Sequence, residues 1–446
     1  MRRCLAIPLL LLTWLLAGCA GHESRVKAAL DALDAGRPDE AIAHLNEEMG
    51  VETAEQIPKL EGDNALLLLD RATILQSVDR YELSQRDFQT ADKAIEILDF
   101  KRGTADDIGK YLFSDDVGPY RAPPFEKLLI NTFNMMNYLA RHDVSGAKVE
   151  ARRLSVMERY LKESGETTAL LGLGSYLAGF TFEKAGGRDE ALLYYGEALG
   201  YQSYPSLRDP LRVLTGGRSE SPKIDEVVAG AGPVDSVASS GDSELLIVVG
   251  YGRVPQKYPE RIPIGLALTM VSGIISPGDA AQANELAAKG LVTWVNFPRL
   301  GKSRGRHSIP EVWVDGRPQN VEHALDIEAE VRKEWEEREP TVVLSAITRM
   351  ITRVLAGEAV DAAVGAASDS GIVGLLAGLA TSATLTAADT PDTRSWSTLP
   401  SNVAICRLRL RPGQHTVQLR VRGVMKEYRV TTRPGDWQAV VMTALR

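Results

Sequence analysis

Residues 72–91, ATILQSVDRYELSQRDFQTA, and residues 179–198, GFTFEKAGGRDEALLYYGEA, decide how the first half of this chain folds. The two share a pattern at offsets 0, 3, 12, 16 and 19. It reads Ala72, Leu75, Ser84, Phe88 and Ala91 in one, and Gly179, Phe182, Ala191, Tyr195 and Ala198 in the other. Residues spaced by three and four lie on one face of a helix. The breaks between them, VDR and AGGR, divide each stretch into two helices. Small residues then sit where two antiparallel helices cross closely, and the large one fills the gap to the next pair.

Those offsets resemble the tetratricopeptide repeat. Weaker copies place Ala29, Ala41 and Leu45 in a first pair and Tyr138, Ala147, Ala151 and Leu154 in a third. In the first helix Val26, Ala29, Leu30 and Leu33 form an apolar stripe, and Gly36 with Pro38 ends it. The small residues that open the second helices, Ala41, Ser84, Ala147 and Ala191, are 43, 63 and 44 residues apart. A regular array keeps a period of about 34, so these are degenerate units, or a plain helical bundle with chance spacing. Stacked helical pairs form a scaffold whose concave face commonly binds a peptide or protein. The glycines of GLGSYLAG, Gly172, Gly174 and Gly179, lack the preceding strand and spacing of a dinucleotide loop and read as close helix contacts.

The chain opens with an address. Arg2 and Arg3 precede an apolar run from Leu5 to Leu16, and Leu16, Ala17 and Gly18 lead into Cys19. A charged start, a short apolar run and small residues mark an export signal. The run is shorter than the ~20 residues of a spanning helix. It resembles a bacterial lipoprotein signal over residues 1–18, which implies acylation of Cys19 as the mature N-terminus. Ala20 in place of aspartate implies delivery to the outer membrane, on its periplasmic face. Without Arg2 and Arg3 the chain carries 49 basic against 59 acidic residues. That balance argues against general nucleic-acid binding, which needs phosphate neutralisation. Cys4 falls in the signal and Cys19 takes the lipid, so Cys406 stands alone and reads as a small buried hydrophobe.

Residues 19–214 form the helical domain, and the Gly-, Ser- and Pro-rich stretch 215–242 reads as a linker. Residues 243–446 change period. LLIVVG, Leu245–Gly250, reads as a buried strand, and YGRVPQKYPERIPIGLAL as an irregular loop. Leu291–Phe297 and Glu311–Asp315 read as a strand pair whose tip, GKSRGRHS, carries Arg304 and Arg306. That tip is either a solvated turn or a site for an anionic partner. Asp326–Arg338 and Val342–Leu355 read as two helices broken at Pro340. The weakly apolar run Gly371–Ala388 reads as a helix packed in protein. Residues 400–446 alternate like strands, with turns at Pro412-Gly413 and Pro434-Gly435. They resemble the small β-sandwich modules (PEGA-like) of extracytoplasmic proteins, with LRPGQHTVQLRV as the matching hairpin. The expected class is α+β: helical repeats followed by a mixed, β-rich region ending in a small β-sandwich.

Three places stand out as candidate partner contacts. DDVGPYRAPPFE holds Asp115, Tyr120 and Arg121 ahead of a long helix. AKVEARR holds Arg153, which either grips a ligand or pairs with Glu150. ADTPDTRSWSTLPSN holds Arg394 and Trp396, read either as a site or as a satisfied Asp392–Arg394 pair with Trp396 covering the core edge. The lipoprotein signal, PYRAPPFEKLL, AKVEARR, ELLIVVGYGRVPQK and DTRSWSTLP together resemble a family of uncharacterised proteobacterial outer-membrane lipoproteins. The resemblance implies a cell-envelope setting near the activators of peptidoglycan synthases, and it assigns no catalytic residue. The six histidines form no HExxH motif, and no GxSxG or Walker loop is present. No metal or cofactor is therefore expected, and no enzyme. The expected function is a lipid-anchored periplasmic scaffold that binds a protein partner, with a lipid or glycan carrier as the alternative.

Overall fold

The computed structural model describes residues 21–97, 120–163, 169–230, 241–302, 308–365 and 390–446. Leu16, Ala17, Gly18, Cys19, Asp115, Arg304, Arg306 and the run 371–388 lie outside them. The protein is α+β, with helices in the first half and strands concentrated in the second.

Among the described residues the first half makes four helical hairpins. They are α1 (His22–Asp34) with α2 (Pro38–Glu48), α3 (Asn64–Ser77) with α4 (Tyr81–Ala94), α5 (Pro124–Ala140) with α6 (Val144–Glu163), and α7 (Leu171–Lys184) with α8 (Arg188–Tyr201). The small residues Ala41, Ser84, Ala147 and Ala191 are fully buried at the crossings, as are Phe88 and Tyr195 between them. The glycines act as expected. A Cβ on Gly179 would lie 2.4 Å from the Tyr195 ring, and one on Gly174 would lie 2.7 Å from Leu154.

The expected linker is partly helical. After α9 (Arg208–Thr215), Ser221 caps α10 (Pro222–Ala229) by accepting from the Ile224 amide, and Ile224 is buried. Ser-Pro at the helix start was the readable signal.

Among its described residues the second half has the strands β3 (Ser243–Tyr251), β6 (Glu311–Val314), β7 (Arg317–Gln319), β8 (Glu322–Asp326), β9 (Asn402–Leu410), β10 (Gly413–Val421), β11 (Val424–Thr432) and β12 (Trp437–Ala444). They form two four-stranded sheets, ordered β12-β3-β9-β8 and β11-β10-β6-β7. They stack as a sandwich. Leu245, Ile247 and Val249 of β3, Cys406 of β9 and Met442 of β12 meet Val314, Val417 and Leu419 of the other sheet. The alternate residues Leu246, Val248, Val403, Ile405 and Val441 join the core of the helices. Buried on both faces, β3 must be apolar throughout, which is why LLIVVG does not alternate. The terminal strands are thus completed by β3, β6, β7 and β8 from earlier in the chain. LRPGQHTVQLRV is no hairpin, because Pro412-Gly413 carries the chain from one sheet to the other. The paired hairpin is β10–β11, closed by Arg422 and Gly423 at positive φ.

A smaller unit projects from this body. The stretch expected to be irregular contains β4 (Lys257–Pro263), paired antiparallel with β5 (Trp294–Leu300) rather than β5 with β6. Pro259 opposes Pro298, a pairing that fits where neither strand donates. Helices α11 (Ile264–Met270), α12 (Pro277–Ala288) and α13 (Ile327–Gly365) complete its separate core, from Ile262 to Val354. Helix α13 runs continuously through Pro340, so the two expected helices are one.

The inner helices show what fills the groove of the repeat. Every residue of Ala65–Gln76 in α3 and Leu171–Phe182 in α7 is buried, and α5 is buried almost throughout. A helix buried on all sides has no face left for solvent. The chain's own C-terminal half covers them, β12 over α3 and α5 and β8 over α7. The face expected to receive a partner is occupied from within.

Candidate functional site

The covering half enters the helical array through the segment Thr390–Ser401, which has no regular structure. Trp396 is its plug, 1% exposed. Its indole N–H donates to Thr73 Oγ1 at 2.9 Å, and its ring meets Phe88 and Phe133 edge-on at 5.6 and 5.9 Å. Phe88 is the large residue of the repeat pattern, so the plug seats in the gap between successive hairpins.

Polar groups on the inner helices hold the plug's backbone. The Thr398 amide and hydroxyl both donate to Asp70 Oδ1, at 2.8 and 2.9 Å. The Trp396 amide donates to Glu126 Oε1 at 3.3 Å, and Tyr120 donates its hydroxyl to Glu126 Oε2 at 2.5 Å. Arg394 pairs with Asp392 at 2.8 Å and Asp63 at 3.1 Å, over the face of Tyr120. Thr393 hydrogen-bonds Glu23 in the first turn of α1. Tyr120, Arg394 and Trp396 therefore converge, as candidates for one site should, but they face inward. They are 5%, 5% and 1% exposed and satisfied within the chain, so a partner does not reach them. The Asp392–Arg394 pair with Trp396 on the core edge is what the fold contains.

Arg153 belongs to another cluster. It lies 3.2 Å from Glu150 and 3.8 Å from Asp92, and Asn131 and Asn134 also donate to Glu150. The pairing with Glu150 is therefore present, and the Arg153 side chain is 35% exposed. Arg121 lies half-buried in β2 (Arg121–Ala122), beside β1 (Glu96–Ile97).

Electrostatics single out a pair that the motifs did not. His22 Nε2 lies 3.8 Å from Asp70 Oδ2, both side chains are buried, and neither atom has a hydrogen-bond partner. Burial, reinforced by Arg25, pushes His22 down to about 3. Burial pushes Asp70 up to about 7 against the pull of Thr398. Burial likewise raises Glu126 and Tyr120. Asp392 and Asp63 raise Arg394 despite its burial. A neutral imidazole beside a protonated carboxyl can pass a proton, but these two sit under the plug. Asp70 holds the plug through Thr398, and His22 packs beside Asp70. No protein-family model matches this sequence, and no curated protein does.

The second lock lies where β3 and β9 meet α7. Arg407 is buried, stacks 4.9 Å over Phe180, donates to the Tyr195 hydroxyl at 2.8 Å, and bridges Glu183 and Glu244. Lys184 pairs with the same two carboxylates. The readable signal for both locks was a charge inside an apolar run. LLLLDRATIL and VAICRLRL each bury what composition alone would leave outside. What such charges pair with is not written nearby.

Proposed function

We propose that this protein is a lipid-anchored scaffold of the bacterial cell envelope. It is held at the outer membrane by acylated Cys19 and binds a protein partner through its outer surface. The observation that carries the reading is the start of the folded body. Helix α1 begins at His22, whose side chain is buried, three residues after Cys19. Three residues reach at most about 10 Å, so an acyl chain on Cys19 would hold the body directly against the membrane.

The locked architecture supports a scaffold over a carrier. A carrier needs a groove for its lipid or glycan, and the groove of this repeat holds Trp396 and the sheet. A surface depression of about 430 Å³ lies beside β6 and β7, lined by Ile309, Trp313 and Pro318 among others. The peptidoglycan-synthesis setting implied by the family resemblance is the neighbourhood in which we place the partner.

Fractionation and crosslinking test this reading. Native protein should carry N-terminal acyl groups and sediment with the outer membrane, and Cys19→Ala protein should not. Crosslinking in intact cells should capture one protein at fixed stoichiometry. Turnover of a cell-wall substrate by purified protein would replace the scaffold with an enzyme, and copurifying lipid or glycan would favour the carrier.

A further inference from the structure

The projecting unit carries an apolar patch at its tip. From Ile262 to Gly278 the chain has no charged residue. Leu266 and Ile274 within that run are 53% and 50% exposed. The Ile264 amide donates to the Thr293 carbonyl and Pro263 pairs with Trp294, so the helix that carries Leu266 starts beside Trp294, which is 41% exposed. The Arg261 guanidinium lies 5.5 Å from the Trp294 ring centre. Exposed aliphatics, a tryptophan and one cation over its ring are the composition of surfaces that sit at the boundary of lipid headgroups and acyl chains. Scattered singly these residues need no explanation; grouped on an uncharged segment they do.

The position of the patch argues for its occupant. Each helical hairpin returns the chain to the end at which α1 starts, so that end carries Gly21 and the exit toward Cys19. The base of the β4–β5 ribbon is attached there. Lys257 donates to the Arg394 carbonyl at 3.3 Å, Arg394 pairs with Asp63, and Asp63 lies 3.8 Å from Arg25 in the first turns of α1. From that base the seven-residue strands extend about 23 Å to the tip. The opposite end of the array is marked by the turn at Asp79, which Lys426 of β11 grips at 2.9 Å.

The geometry points to a second membrane contact: Leu266, Ile274 and Trp294 dock on the lipid surface in which Cys19 is anchored. The contact orients the body and confines it to the plane of the bilayer. Among the described residues no helix is long and apolar enough to cross a membrane, so the patch rests in the interface. The inference depends on the anchor reading of Cys19.

The test uses full-length protein, purified with its N-terminal modification and reconstituted into phosphatidylethanolamine–phosphatidylglycerol vesicles. Leu266→Cys, Ile274→Cys and, at the far end, Met425→Cys (71% exposed) are each labelled with an environment-sensitive dye. Cys406 is buried and its thiol pushed up to about 12, so it does not compete for label. Mass measurement of the N-terminal peptide reports the acyl groups independently. The expected result is acylated protein with blue-shifted emission at 266 and 274, quenched by a lipid-borne quencher, and water-like emission at 425. Acylated protein with water-like emission at 266 and 274 overturns the docking and leaves the anchor standing. Blue-shifted emission that the lipid quencher does not reach means that protein, such as a second copy, covers the patch, and it overturns the docking too. An unmodified Cys19 removes both.

Discussion

Arg407 Nη2 lies 2.8 and 2.9 Å from the two carboxylate oxygens of Glu183, across a sequence separation of 224 residues. The contact joins β9 to the last turn of α7. Arg407 holds Glu183 well below the usual carboxylate range, even though burial pushes the other way. Glu244 is lowered by the same arginine, again against burial. Because this charge has no solvent to turn to, the two halves of the chain should unfold as one cooperative unit.

Removing that arginine leaves two buried carboxylates sharing Lys184. Arg407→Met should cost about 3–5 kcal/mol, the usual penalty for breaking one side of a buried pair. Adding Glu183→Gln and Glu244→Gln should recover part of it. Denaturant unfolding, followed in the far ultraviolet and by tryptophan emission, checks this. Separate transitions for helices and strands in the native protein would contradict the single unit.

Trp396→Ala empties the gap between the second and third hairpins and removes the donor to the Thr73 hydroxyl, which keeps its own bond to the Leu69 carbonyl. Truncating a fully buried tryptophan costs about 3–5 kcal/mol. Trp396→Phe keeps most of the packing and should lose much less. Guanidinium midpoints of the two variants measure the difference.

His22 and Asp70 act in opposite directions on stability against pH. His22 is neutral in the fold, so its contribution is lost as pH falls from its ordinary 6.5 toward about 3. Asp70 is protonated in the fold, so its contribution is lost as pH rises from its ordinary 3.8 toward about 7. Between 3.8 and 6.5 the folded pair and the unfolded pair each hold one proton, and the two slopes cancel. Asp70→Asn removes one of them. Relative to wild type, the variant should then lose up to about 1.4 kcal/mol per pH unit on acidification below 6.5. Urea midpoints across that window decide it; parallel curves for the two proteins would refute the pairing.

Two glycines of adjacent helices should respond oppositely to alanine. A Cβ on Gly179 would lie 2.4 Å from Tyr195, whose hydroxyl is held by Glu183, so the ring cannot swing away. Gly179→Ala should cost about 1–3 kcal/mol through overpacking. At Gly196 a Cβ would meet only Ile224, at 3.7 Å. Gly196→Ala should gain up to about 1 kcal/mol of helix propensity. Thermal midpoints of both variants settle the comparison.

Local rules made the hairpins legible. Ser84, Phe88 and Ala91 announce their packing because helix neighbours are three and four residues away, so pattern and contact lie in the same short window. The strands of β3, β9, β10 and β12 were readable from their residue types for the same reason. Their partners were not. β3 and β12 pair in parallel across nearly 200 residues, and strand pairing carries no local trace of distance. Pro340 reads as a break because it removes an N–H and crowds the preceding turn, yet α13 continues through it and packs on β5.

The candidate site divides the same way. From the sequence alone, Tyr120, Arg394 and Trp396 could be singled out as residues whose types need partners. Which way they face was settled only by the tertiary structure. An exposed tryptophan binds something else, while a buried one holds its own chain, and the difference lies in what α3, α4 and α5 place around it. The sequence determined the helical hairpins, the strand-forming segments and the α+β class, because those follow from neighbours along the chain. The filled groove, the Arg407–Glu183 lock and the buried His22–Asp70 pair were decided by residues more than a hundred positions apart or on separate helices. Burial and charge pairing are properties of their shared environment, and no single stretch of the chain contains it.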